Sequence, residues 1–221
     1  MWDYDGICTA VRDELQRAAA QLDDEQATRG LDAAFELGLH PQLRAGVERS
    51  GLRTLAEQRY PPSRSRPRRS EGERCDIVAL DAAAGHQPHL ADPLAAGTLF
   101  AHTGADPAQA LWIEVKVVHQ FVLSDAGIRA NASYSGTLLR ELTADVRKLA
   151  RDQSIGARAV LIVLFTDTAD TAQRDLDTWR RRCLMQSLSI SAPYIHTFPL
   201  RDRLGNACCT VALAPVHKSN T

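Results

Sequence analysis

The segment Leu111-Trp112-Ile113-Glu114-Val115-Lys116-Val117-Val118 constrains the fold of this 221-residue chain more than any other stretch. Its apolar, β-branched character predicts a buried strand. Side chains alternate across a sheet, so Glu114 and Lys116 fall on one face of it. A carboxylate and an ammonium in a buried strand cost on the order of several kcal/mol unless they pair or bind a ligand. A second apolar run, Ile77-Val78-Ala79-Leu80, is opened by another acid, Asp76. An Asp on one strand and Glu-x-Lys on its neighbour is a pattern suited to holding a divalent cation beside a phosphate.

The chain length suits a single domain, residues 1–221, with a sizeable core. A formal net charge of −1 gives no global basic field that would announce nucleic acid. No apolar run approaches the ~18–20 residues that span a bilayer, so no membrane association is expected. The start, Met1-Trp2-Asp3-Tyr4-Asp5, lacks a basic segment followed by an apolar one, which predicts no secretory signal and a cytoplasmic location. The five cysteines (Cys8, Cys75, Cys183, Cys208 and Cys209) show no C-x-x-C spacing, so neither a disulfide framework nor a zinc site is expected.

Only three of the 26 basic residues are lysines: Lys116, Lys148 and Lys218. In so arginine-rich a chain, a retained lysine points to a place where a compact ammonium is required and a planar guanidinium will not serve.

Apolar periodicity predicts a helix over 5–26 and a second over 28–49, with Thr28 as its cap and Pro41 as a kink or break. Strands follow at Leu52 to Arg59 and Cys75 to Leu80. Between them lies Ser63-Arg64-Ser65-Arg66-Pro67-Arg68-Arg69-Ser70, a basic loop read either as a phosphate-backbone contact or as a solvated segment. Asp81 to Gln109 is a long stretch rich in Ala, Gly, His and Pro. After the central strand, Phe121-Val122-Leu123 extends it past a bend. A helix over Tyr134 to Asp152, a buried strand over Ala157 to Thr166 and a helix over Thr171 to Leu188 come next. Two last strands lie at Tyr194 to Phe198 and Cys208 to Leu213. This order predicts an α/β domain with a mixed central sheet flanked by helices.

Phosphodiester cleavage assisted by a metal needs hard oxygen ligands, a source of hydroxide and a cation to offset transition-state charge. Asp76, Glu114 and the Val115 carbonyl are candidate ligands for Mg²⁺ or Mn²⁺. Lys116 is placed to orient or deprotonate the attacking water.

These residues, Asp76 in Cys75-Asp76-Ile77-Val78 and Glu114-Val115-Lys116 within Ile113 to Val117, resemble the PD-(D/E)xK, or restriction-endonuclease-like, nuclease superfamily. The superfamily core of helix, three strands, helix and strand is similar to the order read over about 28–166; residues 5–26 and 167–221 then extend it at either end. The resemblance implies an acid on the first core helix, for which Glu36 is the better candidate, ahead of Glu48 and of Glu57 on the first strand. It also implies a basic or polar residue on the second core helix, where Lys148 stands in Asp145-Val146-Arg147-Lys148-Leu149; Tyr134 and Gln120 are weaker candidates. Cys75 departs from the proline of the family name, and the long separation from Asp76 to Glu114 requires an insertion at Asp81 to Gln109.

The function that the resemblance implies is a Mg²⁺- or Mn²⁺-dependent endonuclease acting on DNA in preference to RNA. Its roles would lie in restriction, anti-phage defence or repair. Specificity would come from a homodimer, an activating protein partner or the Arg64 to Arg69 loop. The competing expectation is a catalytically silent nucleic-acid-binding or assembly subunit of the same fold. Blander readings stand beside these. Glu114 and Lys116 would form a structural pair, Asp145 and Lys148 a weak pair on one helix face, and His86, His89 and His102 solvated loop side chains. Trp179, followed by Arg180, Arg181 and Arg182, would be a stacking platform or a buried core residue.

Overall fold

The computed structural model describes residues 1–61, 73–82, 89–91 and 104–219. The Arg64 to Arg69 loop and most of the stretch from Asp81 to Gln109, including His86 and His102, lie outside the described residues.

Helix α1 (Tyr4–Asp24) is capped by Asp3, whose carboxylate accepts from the Gly6 N–H at 2.9 Å. Its buried residues Ile7, Val11, Leu15 and Ala19 fall at helical spacing and lie along α2 (Glu36–Arg49). The helix expected over 28–49 is therefore shorter. A 3₁₀ turn at Leu31–Ala33 and an extended Phe35 precede it, so Thr28 is not its cap. Pro41 sits inside a continuous α2 and does not end it. Gly46 accounts for the closeness of the two helices: a Cβ there would lie 2.6 Å from the Val11 Cα.

Among the described residues eight strands follow: β1 (Leu52–Arg59), β2 (Arg74–Asp81), β3 (Leu111–His119), β4 (Phe121–Ser124), β5 (Gly127–Ala130), β6 (Ala157–Thr166), β7 (Tyr194–Pro199) and β8 (Cys208–Pro215). Six of them form one mixed sheet in the order β1-β2-β3-β6-β8-β7. The β3–β6 pair is parallel and the others are antiparallel. A parallel pair needs a long crossover. It is made by α3 (Tyr134–Gly136), a π-helical turn at Thr137–Glu141 and α4 (Leu142–Arg151). Helix α5 (Ala169–Met185) leads to the last two strands.

Phe121–Ser124 does not extend β3. It pairs with β5 in a separate two-stranded ribbon, an element that periodicity over so short a span did not reveal.

The sheet is buried on both faces, which explains the nearly unbroken apolar runs of β3 and β6. Ile113, Val115 and Val117 pack with α1 and α2. Trp112 and Val118 pack with Leu142, Val146 and Leu149 of α4 and with Leu176 and Trp179 of α5. The molecule is thus an α/β protein with a six-stranded mixed sheet packed against four helices. Trp179 is wholly buried, so it belongs to the core and not to a stacking surface. All five cysteines are free and buried. Among the described residues no helix is long and apolar enough to cross a membrane.

Candidate active site

The ladder between β2 and β3 runs from Ala79↔Leu111 through Ile77↔Ile113 and then stops. Beyond it, the edge of β3 that faced β2 presents free backbone donors, which must find partners if buried. Two carboxylates take them. Asp76 Oδ2 accepts from the Val115 N–H at 2.7 Å, and Glu36 Oε2 accepts from the Val117 N–H at 3.1 Å. Divergence of the two strands thereby draws an acid from β2 and an acid from the first turn of α2 onto the same stretch of β3.

The alternation read from the sequence places Glu114 and Lys116 on the face that carries Trp112 and Val118, toward α4. They do not pair with each other. Glu114 is 5% exposed and accepts at Oε1 from the Lys148 ammonium at 2.7 Å and from the Tyr60 hydroxyl. Lys116 lies 3.4 Å from Glu36 Oε2 and 3.7 Å from Asp145 Oδ2. The expected pairing of Asp145 with Lys148 along one turn of α4 is replaced by two pairs that cross from α4 to β3. Lys148 also donates to the Arg74 carbonyl at 2.9 Å and lies 5.0 Å from the centre of the Tyr60 ring.

Five residues named from the sequence (Asp76, Glu114, Lys116, Glu36 and Lys148) therefore meet in one cluster. Others go elsewhere. Glu48 accepts from Thr54 at 2.5 Å. Glu57 is exposed on β1 with a positive φ of 47°. Gln120 accepts from the Asp167 N–H at 2.8 Å, and Tyr134 donates to Asp175 at 2.8 Å. Two members were missed. Asp145 was read only as a helix-surface residue, although its place three residues before Lys148 puts both on one face of α4. Tyr60 directly follows β1 and carries no sequence signal for its role.

Four carboxylates (Asp76, Glu114, Glu36 and Asp145) share this region with two ammonium groups. Burial pushes Glu114 up to about 7; Lys148 opposes the rise and Asp76 adds to it. Burial likewise pushes Asp145 up to about 6, against the attraction of Lys116 and Lys148 and with the repulsion of Asp76 and Glu36. Burial works against the charge of Lys116, but Asp145 and Glu36 outweigh it and raise its pKa. Lys148 is likewise raised, Glu114 outweighing burial.

Among the described residues this surplus of acid, buried at Glu114 and partly buried at the other three, favours a further cation. Mg²⁺ commonly takes one or two carboxylates and keeps several waters. Asp76, Glu114 and the Val115 carbonyl would offer hard oxygens of the kind such an ion takes. Among the described residues no three His, Cys, Asp or Glu side chains converge on one ion position. Glu36 and Asp145 turn to Lys116 instead.

Comparison of the chain with protein-family models, with curated proteins and with solved structures returns no match.

Proposed function

We propose that the chain is a nuclease with a restriction-endonuclease-like core, which hydrolyses phosphodiester bonds in DNA with the help of Mg²⁺ or Mn²⁺. The observation that carries this reading is the meeting of Asp76 and the Glu114-Val115-Lys116 strand where β2 and β3 part. Asp76, Glu114 and the Val115 carbonyl would hold the ion, which when bound supplies Lewis acidity and an activated water. Lys116 orients the attacking water, and its ammonium offsets charge on the phosphate. Glu36 and Asp145 hold Lys116 from two sides and so act on that water through it. Lys148 supplies a second ammonium for the phosphate once it leaves Glu114. DNA is preferred over RNA as substrate, and a homodimer or a protein partner supplies specificity.

The pairing of Glu114 with Tyr60 and Lys148 supports one other reading: a catalytically silent, nucleic-acid-binding or assembly subunit whose acid is already neutralised. The experiment is cleavage of supercoiled, linear and single-stranded DNA with Mg²⁺ or Mn²⁺ by wild type and Lys116→Ala. Metal-dependent cutting that falls by about 10²–10⁴-fold in the variant is the expected result. DNA binding indifferent to metal, with no cutting, would establish the silent subunit. Cutting that survives Lys116→Ala would place the chemistry elsewhere.

A further inference from the structure

We infer that Tyr60 is a positioning residue of this centre: its hydroxyl fixes the Glu114 carboxylate through Oε1, leaving Oε2 aimed for a divalent cation beside Asp76. The inference rests on the metal-dependent reading given above and adds to it a residue that no sequence pattern marks.

Tyr60 follows directly on β1, and three contacts hold it. Its ring stacks on the fully buried Trp112, with centroids 5.3 Å apart and planes 22° from parallel. Trp112 is itself tied by its indole N–H to the Pro107 carbonyl at 3.0 Å. The opposite charge on the site, the Lys148 ammonium, lies 5.0 Å from the ring centroid. The hydroxyl then donates to Glu114 Oε1, the same oxygen that Lys148 reaches at 2.7 Å.

A glutamate side chain has three rotatable torsions, and a single donor leaves it free to swing. Two donors on one oxygen, one carried on a ring that cannot turn away, leave little rotation of the carboxylate. Glu114 thereby presents its second oxygen in one direction. Partners of this kind commonly matter to metal affinity as much as to catalysis, because they fix ligand orientation before the ion arrives. A hydroxyl so deeply placed also needs an acceptor, and Glu114 is that acceptor. Phenylalanine would fill the same space and stack on Trp112 equally well. The ring therefore serves the core, and the hydroxyl serves Glu114.

The test uses the full chain and Tyr60→Phe, which removes only the hydroxyl. Mn²⁺ binding is measured by titration calorimetry without DNA, beside thermal melts and the kcat and KM of DNA cleavage. The expected result is Mn²⁺ affinity about 10–100-fold weaker, a fall in kcat of similar size, and an unchanged KM for DNA. Unchanged Mn²⁺ affinity and kcat in Tyr60→Phe, with wild type binding and cutting, would overturn the role of Tyr60 alone. A lowered melting temperature with unchanged Mn²⁺ affinity would assign the hydroxyl to the fold and overturn it likewise. Wild-type protein that neither binds Mn²⁺ nor cuts would overturn both the role and the reading beneath it. Should Tyr60→Phe not fold, Tyr60→Trp keeps an aromatic ring on Trp112 without the phenol; wild-type affinity in that variant would overturn the role, and a 10–100-fold loss is expected.

Discussion

Lys148 of α4 reaches across to β3 and sets its ammonium 2.7 Å from Glu114, while Lys116, two residues further along that strand, turns back to Asp145 of α4 at 3.7 Å. Strand and helix thus carry opposite charges in reciprocal order. Each residue pair shares one face of its own element, by the two-residue period of a strand and the three-residue step of a helix.

Removing one partner of this crossing should be costly at neutral pH. Lys148→Met removes the ammonium that holds the Glu114 pKa down, so Glu114 must either keep its charge with only the Tyr60 hydroxyl beside it or be protonated at a cost that grows with pH. Loss of one member of a buried pair costs about 3–5 kcal/mol, and the partial exposure of Lys148 puts the expected loss near the lower end. The deficit should shrink as Glu114 takes up a proton. Urea unfolding at pH 8 and pH 5 checks this: an equal deficit at both would mean that the Glu114 charge is not what Lys148 supports.

Stability without metal should fall as pH rises. Glu114 goes from 4.5 in the open chain to about 7 when folded, and Asp145 from 3.8 to about 6. The folded protein then binds more protons than the unfolded one across that interval. These two groups give their full stabilisation below pH 3.8 and 4.5, and it is lost as pH rises through 6 and 7. Thermal melts of wild type and Glu114→Gln from pH 4.5 to 8 measure the slope. The expected outcome is a shallower decline in the variant, and recovery at pH 8 on adding Mg²⁺ in wild type alone. Parallel curves for the two proteins would remove Glu114 as the source.

Trp179 offers a separate check on where nucleic acid does not go. Its side chain is wholly buried against α4 and the sheet, so Trp179→Ala should cost about 3–5 kcal/mol. Trp179→Phe keeps most of the packing and should leave DNA affinity unchanged. A selective loss of DNA binding in Trp179→Phe, with stability kept, would contradict its place in the core.

Gly46→Ala should destabilise the protein although alanine favours helices by about 1 kcal/mol over glycine. The added Cβ would meet the Val11 backbone at 2.6 Å, and overpacking of this kind costs about 1–3 kcal/mol. Denaturant unfolding is the measurement; a more stable variant would show that α1 and α2 can move apart freely.

The legible parts of the fold were those governed by local pattern. Leu52–Arg59 and Ala157–Thr166 are strands with the bounds that periodicity assigns them. Their side chains alternate or run apolar over enough residues to exclude a helix. The start of α2 was not legible: no local signal marks the 3₁₀ turn and the extended Phe35 before it, and the contact of its first residue, Glu36 with Val117, spans 81 positions. A local rule makes Pro41 a kink or a break, whereas the packing of Leu39, Leu43 and Val47 on one face holds α2 together through it. The ribbon of β4 and β5 was missed because its four-residue strands carry too little pattern.

The sequence by itself determined that Glu114 and Lys116 share a face, since a strand allows no other arrangement, and that both sit in a segment apolar enough to be buried. It also singled out Lys116 and Lys148 by their rarity among arginines. Only the tertiary structure decided what those charges meet. The parting of β2 from β3 brings Asp76 to Val115, the crossover brings Asp145 and Lys148 over β3, and the end of β1 brings Tyr60 to Glu114. Contacts between residues that lie 29 to 54 positions apart depend on how whole elements pack, and no local period encodes that.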